Sequence, residues 1–240
     1  MLEINKLYLG DCIDILKSID DKSVDFILSD LPYGMTAPQW DNQIPIHLLW
    51  QEYNRIIKDN AIICLFASQP FTTLLINSNL ANFKYCWYWI KNQGTNFFHA
   101  KRMPIRKVEE ICVFHGKKYN PQITDGHVPT NSAKGCSNGK AYHGKNKRDY
   151  AGGKTTRYPS NILNFNCVDN YSRLHSSQKP IDLCEYLIKT YTVENDIVLD
   201  SCMGSGTTCL AAKNINRRFI GIENNEEFFK IAAERLNVTT

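Results

Sequence analysis

The 240-residue sequence predicts an α/β fold, a doubly wound and mostly parallel sheet carrying one long insertion. Three observations carry that expectation. Apolar runs of strand length alternate with stretches of helical period along most of the chain. Residues Asp196 to Glu223, "DIVLDSCMGSGTTCLAAKNINRRFIGIE", run strand, glycine-containing loop, helix, strand, acidic residue. Between Gly116 and Pro159 the alternation collapses into Gly, Asn, Lys, Ser and Tyr, and an irregular segment of that length inside a compact domain is either functional or disordered.

In order, Lys6-Leu7-Tyr8-Leu9 is a short strand that ends at Gly10-Asp11 and leads into a helical segment, Cys12 to Ile19. Val24 to Ser29 is the second strand. A helix from Ile46 to Ile57 precedes an apolar strand from Ala61 to Ala67, and Pro70 stands where the first turn of a helix tolerates proline. Lys84 to Ile90 and Glu110 to Phe114 are further strands, the first rich in aromatics. After the irregular segment, regular structure returns at Ser160 to Phe165. A helix from Pro180 to Tyr191, a strand from Asp196 to Leu199, a helix from Thr207 to Asn214, a strand from Arg218 to Ile222 and a helix from Glu226 to Leu236 complete the chain.

Composition, 43% hydrophobic and 22% charged, is that of a single globular domain, 1–240. No apolar run reaches the ~20 residues that span a bilayer, and "MLEINKLYLGD" lacks the pattern of a signal peptide. The expectation is a soluble, cytoplasmic protein without a membrane partner. Nine cysteines are scattered, odd in number and free of any C-x-x-C pair, so they read as small buried hydrophobes kept reduced. Cys112 and His115, with Cys136 and His143, lack the spacing of a metal site, and no metal is expected.

Charge is uneven. From His99 to Arg157 there are 13 Lys and Arg against 4 Asp and Glu, a net +9, while the rest of the chain carries −5. Such asymmetry marks a phosphate-binding surface, although a solvated basic loop has the same signature.

Two motifs carry chemistry. In the first, Gly204 and Gly206 allow a tight turn and close approach of a ligand at a helix start, and Glu223 can accept hydrogen bonds from ribose hydroxyls. The Lys of a P-loop is missing, and Thr207 and Thr208 stand where the dinucleotide fingerprint has its third glycine, which counts against ATP and NAD. A plain strand-to-helix turn without ligand also fits this motif alone. In the second, "SDLPYG" closes the Val24 strand. The oxygens of Asp30 and a carbonyl held by Pro32 can accept the two hydrogens of an exocyclic amino group while the Tyr33 ring stacks on the planar base that bears it. Accepting both hydrogens frees the nitrogen lone pair for attack on an electrophilic methyl group.

Here the chain resembles the β class of S-adenosylmethionine-dependent DNA amino-methyltransferases, which modify N6 of adenine or N4 of cytosine. "DLPY" resembles the family's D-P-P-Y, and "DSCMGSGTT" its D-P-F-x-G-S-G-T-T, in the order catalytic motif first, cofactor motif last. "LYLGDC", "EEICVFHG" and "HSSQKP" match further motifs in the same order. Leu31 replaces a proline whose role is its backbone carbonyl, and Ser201-Cys202 replace Pro-Phe.

The resemblance implies a seven-stranded sheet of the S-adenosylmethionine methyltransferase type with S-adenosylmethionine as cofactor. Asp30, Pro32 and Tyr33 are implied to be catalytic. Asp200, Gly204 and Gly206 are placed along the methionine end of the cofactor, Glu223 at its ribose, Asp11 and the Cys12 backbone at its adenine, and Gln178 and Lys179 at its carboxylate, with Thr207 a further cofactor contact. The substrate implied is double-stranded DNA with the target nucleotide flipped out. The 116–159 insertion becomes a target-recognition region in which Lys117, Lys118, Lys134, Lys140, Lys145, Lys147, Arg148, Lys154 and Arg157 meet phosphates or base edges. A homodimer, a cognate restriction endonuclease and a bacterial or phage source accompany the resemblance.

Aspartate at the head of the motif favours adenine N6; Ser is commoner in the cytosine N4 enzymes, and Ser29 precedes Asp30. A non-catalytic DNA-binding protein of the same fold is a second reading, opposed by the intact Asp30 and glycine loop. An NAD oxidoreductase is a third, and it gives no reason for Asp30 to Tyr33 or the basic insertion. Trp40-Asp41 either closes over the base or anchors a loop. Asn96, Phe97 and Phe98 reach DNA or pack inside, with the core favoured for one phenylalanine; Asp25 is expected to be structural, and His175 to orient its loop.

Overall fold

The computed structural model describes residues 2–34, 44–129, 152–169, 171–174 and 177–238. Its strands are β1 (Lys6–Leu9), β2 (Val24–Asp30), β3 (Ile57–Ala67), β4 (Phe83–Thr95), β5 (Arg106–His115), β6 (Ile162–Asn164), β7 (Ile197–Asp200) and β8 (Arg218–Glu223). The helices are α1 (Cys12–Leu16), α2 (Ile46–Ile56), α3 (Phe71–Ser78), α4 (Ile181–Tyr191), α5 (Thr207–Asn214) and α6 (Glu226–Leu236), with a 3-10 turn at Phe97–His99.

All eight strands form one sheet in the order β1-β8-β7-β2-β3-β5-β4-β6. Among the described residues the count is one more than the expected seven, and three-residue β6, paired with β4 at the edge, is the shortest of them. β1, β8, β7, β2 and β3 are mutually parallel, and β5 runs antiparallel to both β3 and β4. β2 lies central, and from Val24 to Ser29 every residue is buried, as both-sided coverage of a parallel strand demands. Alternation then divides its side chains. Ile27 packs with α1, α2 and α3 on one face, whereas Phe26 and Leu28 pack with α4, α5 and α6 on the other.

Several elements extend beyond their apolar runs. β3 begins at Ile57, directly where α2 stops, and β4 and β5 continue as a hairpin to Thr95 and Arg106, past the residues that hydrophobicity alone marks. Pro70 caps α3, where its missing N–H costs nothing. Asp25 is structural, as expected: it accepts from Lys58 Nζ (2.7 Å) and from the Ile197 N–H (3.0 Å), tying β2 to the start of β7.

The chain forms two compact units, 1–120 with 161–240, and 121–160. In the smaller unit Thr124 and Arg157 form an antiparallel bridge, and Asp125 accepts from Thr155 Oγ1. No helix among the described residues is long and apolar enough to cross a bilayer.

Candidate active site

The two motifs meet because their strands are neighbours. β2 pairs with β7, so Asp30 and Asp200 end adjacent parallel strands at the point where the sheet order reverses, where open α/β sheets form ligand crevices. Buried hydroxyls lock the two ends together. Ser29 Oγ accepts from the Ser201 N–H at 2.9 Å, and Ser201 Oγ lies 2.5 Å from Tyr53 OH, which rises from α2. A cavity of about 640 Å³ opens over these ends, inside the roughly 300–1,000 Å³ range of small-molecule sites.

Asp30 is held at both oxygens. Tyr33 OH donates to Oδ1 at 2.9 Å, and Lys179 Nζ donates to Oδ2 at 2.5 Å. The Tyr33 ring stacks on Phe71, centroids 4.9 Å apart with planes at 24°. Lys179 also lies 2.9 Å from Glu109 Oε1, an ion pair without hydrogen-bond alignment, and Glu109 Oε2 accepts from Lys91 Nζ at 2.9 Å. Charges therefore alternate along Asp30, Lys179, Glu109 and Lys91. Burial raises the Asp30 pKa against the opposing pull of Lys179. Burial disfavours the Lys179 charge, but Asp30 and Glu109 together outweigh it and raise its pKa; Glu109, served by two lysines, ends below the ordinary carboxylate value despite its own burial.

The cofactor half is built from strand ends and backbone. Glu223, closing β8, accepts from the N–H groups of Gly204 (2.8 Å) and Asn225 (2.9 Å), with the Asn224 N–H a third donor. Burial raises its pKa. Asp200 accepts from the Cys202 N–H at 3.1 Å, and burial pushes it up to about 7. Asp11 caps α1, its Oδ1 accepting from Ile13 and Asp14, while Cys12 begins the helix behind it. Gln178 Oε1 accepts from the Leu174 N–H at 2.9 Å. Thr207 Oγ1 accepts from Arg235.

Asp11, Cys12, Asp30, Pro32, Tyr33, Gln178, Lys179, Asp200, Gly204, Thr207 and Glu223 all line the one cavity. Gly206 does not. It takes φ +75°, and a Cβ there meets Leu236 Cδ1 at 2.8 Å and Ala232 Cβ at 3.0 Å, so this glycine serves the close approach of α5 to α6. Lys179, expected at the cofactor's carboxylate, has its ammonium engaged by Asp30 and Glu109.

Of the basic residues, Lys117 and Lys118 lie away from this cavity. Lys117 and Lys118 follow the end of antiparallel β5, bonding Asn60 at the start of β3, at the opposite end of the sheet from Asp30. Lys118 is committed to Asp196. The Arg157 guanidinium donates to the carbonyls of Lys154 and Thr156 within its own unit, a structural task, and Lys154 is exposed. Lys134, Lys140, Lys145, Lys147, Arg148, Trp40-Asp41 and His175 lie outside the described residues. Neither Phe97 nor Phe98 packs in the core: they are 75% and 102% exposed. Among the described residues no group of three or more His, Cys, Asp or Glu is placed to hold a metal ion.

Glu109 and Lys91 belong to the site without having been singled out in the sequence. The available signal was phase: Glu109 alternates with Ile111 and Val113, both buried on one face of β5, so an acid stands where the pattern calls for a hydrophobe.

Comparison with known proteins agrees with this geometry. The profile of a family described as DNA methylase, the N6/N4 type, matches residues 24–234. The chain is 29% identical to the Type II methyltransferase M1.MboII of Moraxella bovis, covering 99% of this chain and 98% of that one. It is 28% identical to the Type II methyltransferase M.BglII of Bacillus subtilis, covering 98% of this chain and 69% of the relative. Among solved structures, the M1.HpyAVI–SAM complex superposes with a TM-score of 0.65 at 26% identity over 97% of this chain and 99% of that one. The cytosine-N4-specific PvuII DNA methyltransferase gives 0.70 at 16% identity over 98% and 87%, a likeness of fold.

Proposed function

From the premise that this chain belongs to the DNA methylase family, we propose that it is a site-specific DNA methyltransferase that moves a methyl group from S-adenosylmethionine to N6 of an adenine flipped out of double-stranded DNA. The observation that carries the reading is the convergence of Asp30 and Tyr33 with Asp200 and Glu223 in one cavity, base receptor beside cofactor receptor. Asp30 at the head of the motif supports adenine over cytosine.

The cavity suits that cofactor. Glu223 offers acceptors for ribose hydroxyls, Asp200 a carboxylate for the cationic amino group, and the Asp11–Cys12 turn a polar edge for the adenine. When bound, S-adenosylmethionine supplies an electrophilic methyl group. The protein's part is to present the nucleophile. Asp30 Oδ1 accepts an amino hydrogen of the target base in place of the Tyr33 hydroxyl that it binds here, while Lys179 fixes the carboxylate by its other oxygen. Tyr33, backed by Phe71, offers its ring to the flipped base. The amino nitrogen must shed a proton after methylation, and Asp30, made more basic by burial, is placed to hold it.

Residues 116–159 serve as the target-recognition region inserted in a single methyltransferase domain; its net basic character supports that role, with Lys140, Lys145, Lys147, Arg148 and Lys154 as phosphate or base contacts. Lys117 and Lys118 are left out of this proposal because they lie at the opposite end of the sheet from Asp30, and Arg157 because its guanidinium serves carbonyls of its own unit. A second copy of the chain and a cognate restriction endonuclease complete the proposed partners.

Nucleoside mass spectrometry of unmethylated DNA incubated with the protein and S-adenosylmethionine tests the function. N6-methyladenine is expected. N4-methylcytosine would overturn the base assignment and keep the mechanism; no methylated base would overturn the enzyme.

A further inference from the structure

The hairpin that joins β4 to β5 carries its apolar side chains outward. Phe97 and Phe98 head the tip at 75% and 102% exposure, followed by Met103 at 48% and Ile105 at 43%. Four large apolar side chains on one ten-residue turn, 96–105, form the kind of patch that marks an interaction site. The tip is built. Asn96 turns the chain at φ +71°, and the N–H groups of His99, Ala100 and Arg102 donate to the carbonyls of Asn96, Phe97 and His99 at 3.1, 3.0 and 2.8 Å. Gly94 lets the two arms close, since a Cβ there falls 2.1 Å from Ile105 Cγ2.

The stem of the same hairpin is a wall of the catalytic cavity: Gln93, Gly94, Thr95 and Arg106 line it, and Thr95 pairs with Arg106 across the ladder. Phe97 is therefore two residues beyond the cavity rim. Lys101, Arg102, Arg106 and Lys107 flank the aromatic pair, and no Asp or Glu occurs from Asn92 to Val108.

We propose that this hairpin is a DNA wedge: Phe97 and Phe98 enter the base stack at the step the target nucleotide vacates, and Lys101, Arg102 and Lys107 hold the phosphates on either side, while Arg106 donates to Ser68 Oγ in the cavity wall. The proposal rests on the methyltransferase reading above. Charge selects the occupant. A second copy docked tip to tip would press the same cations of both copies together, whereas a duplex brings phosphates to the cations and a stack to the rings. Stacking of an aromatic ring on bases is tolerant of sequence, which suits an element that opens the helix while recognition is made elsewhere.

The test compares wild-type protein with the Phe97→Ala/Phe98→Ala double variant. The probe is a duplex bearing the site mapped from DNA that the wild type has methylated. It carries 2-aminopurine at the target position, with either its pairing base or an abasic position opposite. Both side chains are exposed, so the variant should keep its melting temperature and its affinity for S-adenosylmethionine. On the paired duplex it should bind at least tenfold more weakly and lose most of the fluorescence rise that reports flipping; opposite the abasic position most of both should return. The Phe97→Leu/Phe98→Leu variant should lie between, and Lys101→Gln/Arg102→Gln should flatten the salt dependence of binding. Equal binding and equal fluorescence in variant and wild type would overturn the wedge while leaving methyl transfer by the wild type intact. A variant that changes from dimer to monomer, with the same loss on both duplexes, would overturn it in favour of self-association. A wild type that methylates no DNA would remove the premise itself.

Discussion

Lys179 Nζ lies 2.5 Å from Asp30 Oδ2, joining the loop before α4 to the last residue of β2 and placing a cation behind the carboxylate that faces the cavity. The lysine side chain is 11% exposed and that of Asp30 25%. Glu109 and Lys91 extend the alternation, so removing any member leaves a neighbour with less than its share of opposite charge. Breaking a buried pair from one side costs on the order of 3–5 kcal/mol, and less here because Asp30 opens to the cavity and Glu109 retains Lys91.

Lys179→Met should therefore act on Asp30 before it acts on the cofactor. Loss of the cation raises the Asp30 pKa further, the carboxylate form then exists only at higher pH, and the acid limb of the pH–rate profile should move upward. We expect kcat to fall roughly 10–100-fold, less than the roughly 10²–10⁴-fold that loss of a general base itself costs because Asp30 is retained, with S-adenosylmethionine affinity within about threefold of wild type. A large loss of cofactor affinity with an unmoved acid limb would return Lys179 to the cofactor's carboxylate.

Asp30→Ala should abolish methyl transfer and leave cofactor binding, because the carboxylate closes β2, two strands away from Glu223 at the end of β8. Tyr33→Phe keeps the ring on Phe71 and loses only the hydroxyl bond to Asp30, whereas Tyr33→Ala loses the stacking surface, worth about 1–3 kcal/mol per base. Single-turnover rates should fall in the order wild type, Phe, Ala. A reversed order would sink the stacking role.

Gly206→Ala should destabilise the fold rather than block the ligand. The residue sits at φ +75° with α6 side chains within 3.0 Å of the missing Cβ, a strain of about 1–3 kcal/mol. In a chain of this size each kcal/mol lowers Tm by roughly 2–4 °C. Thermal melting should show the shift, and S-adenosylmethionine affinity measured well below Tm should be nearly unchanged. A normal Tm with lost affinity would put Gly206 back at the cofactor.

What was legible in the sequence was local. Asp30, Tyr33, Asp200, Gly204 and Glu223 each end a strand or open a turn within a few residues of their motif, and the strand order then brings those ends together. Glu109 and Lys91 escaped because they meet each other only through the antiparallel register that sets Trp89 opposite Glu109, which no spacing in the chain encodes. Counting charge along the chain does not register that Lys117 and Lys118 fall at the opposite end of the sheet from Asp30, because β5 runs the other way. Hydrophobicity misled at Phe97 and Phe98, where two aromatics stand on a turn whose backbone bonds hold them away from the core.

The last prediction concerns Asp200, 4% exposed and pushed up to about 7 by burial, with hydrogen bonds from the Cys202 N–H and from Thr208 and Ser29 opposing the shift. A carboxyl raised above its unfolded value near 3.9 holds a proton in the folded protein that the unfolded chain has released. Its contribution to stability is therefore complete below about pH 4 and is lost as pH rises through 7. Cofactor binding reverses the balance: a cationic amino group beside Asp200 favours the carboxylate, so loading below pH 7 must expel a proton. Affinity for S-adenosylmethionine should accordingly rise with pH, by up to tenfold per unit from about pH 5, and level off above 7. Calorimetric titrations at pH 6 in two buffers of different ionisation enthalpy should report release of close to one proton by the wild type and none by Asp200→Asn. Equal proton release from the two proteins would place the cofactor's amino group against another residue.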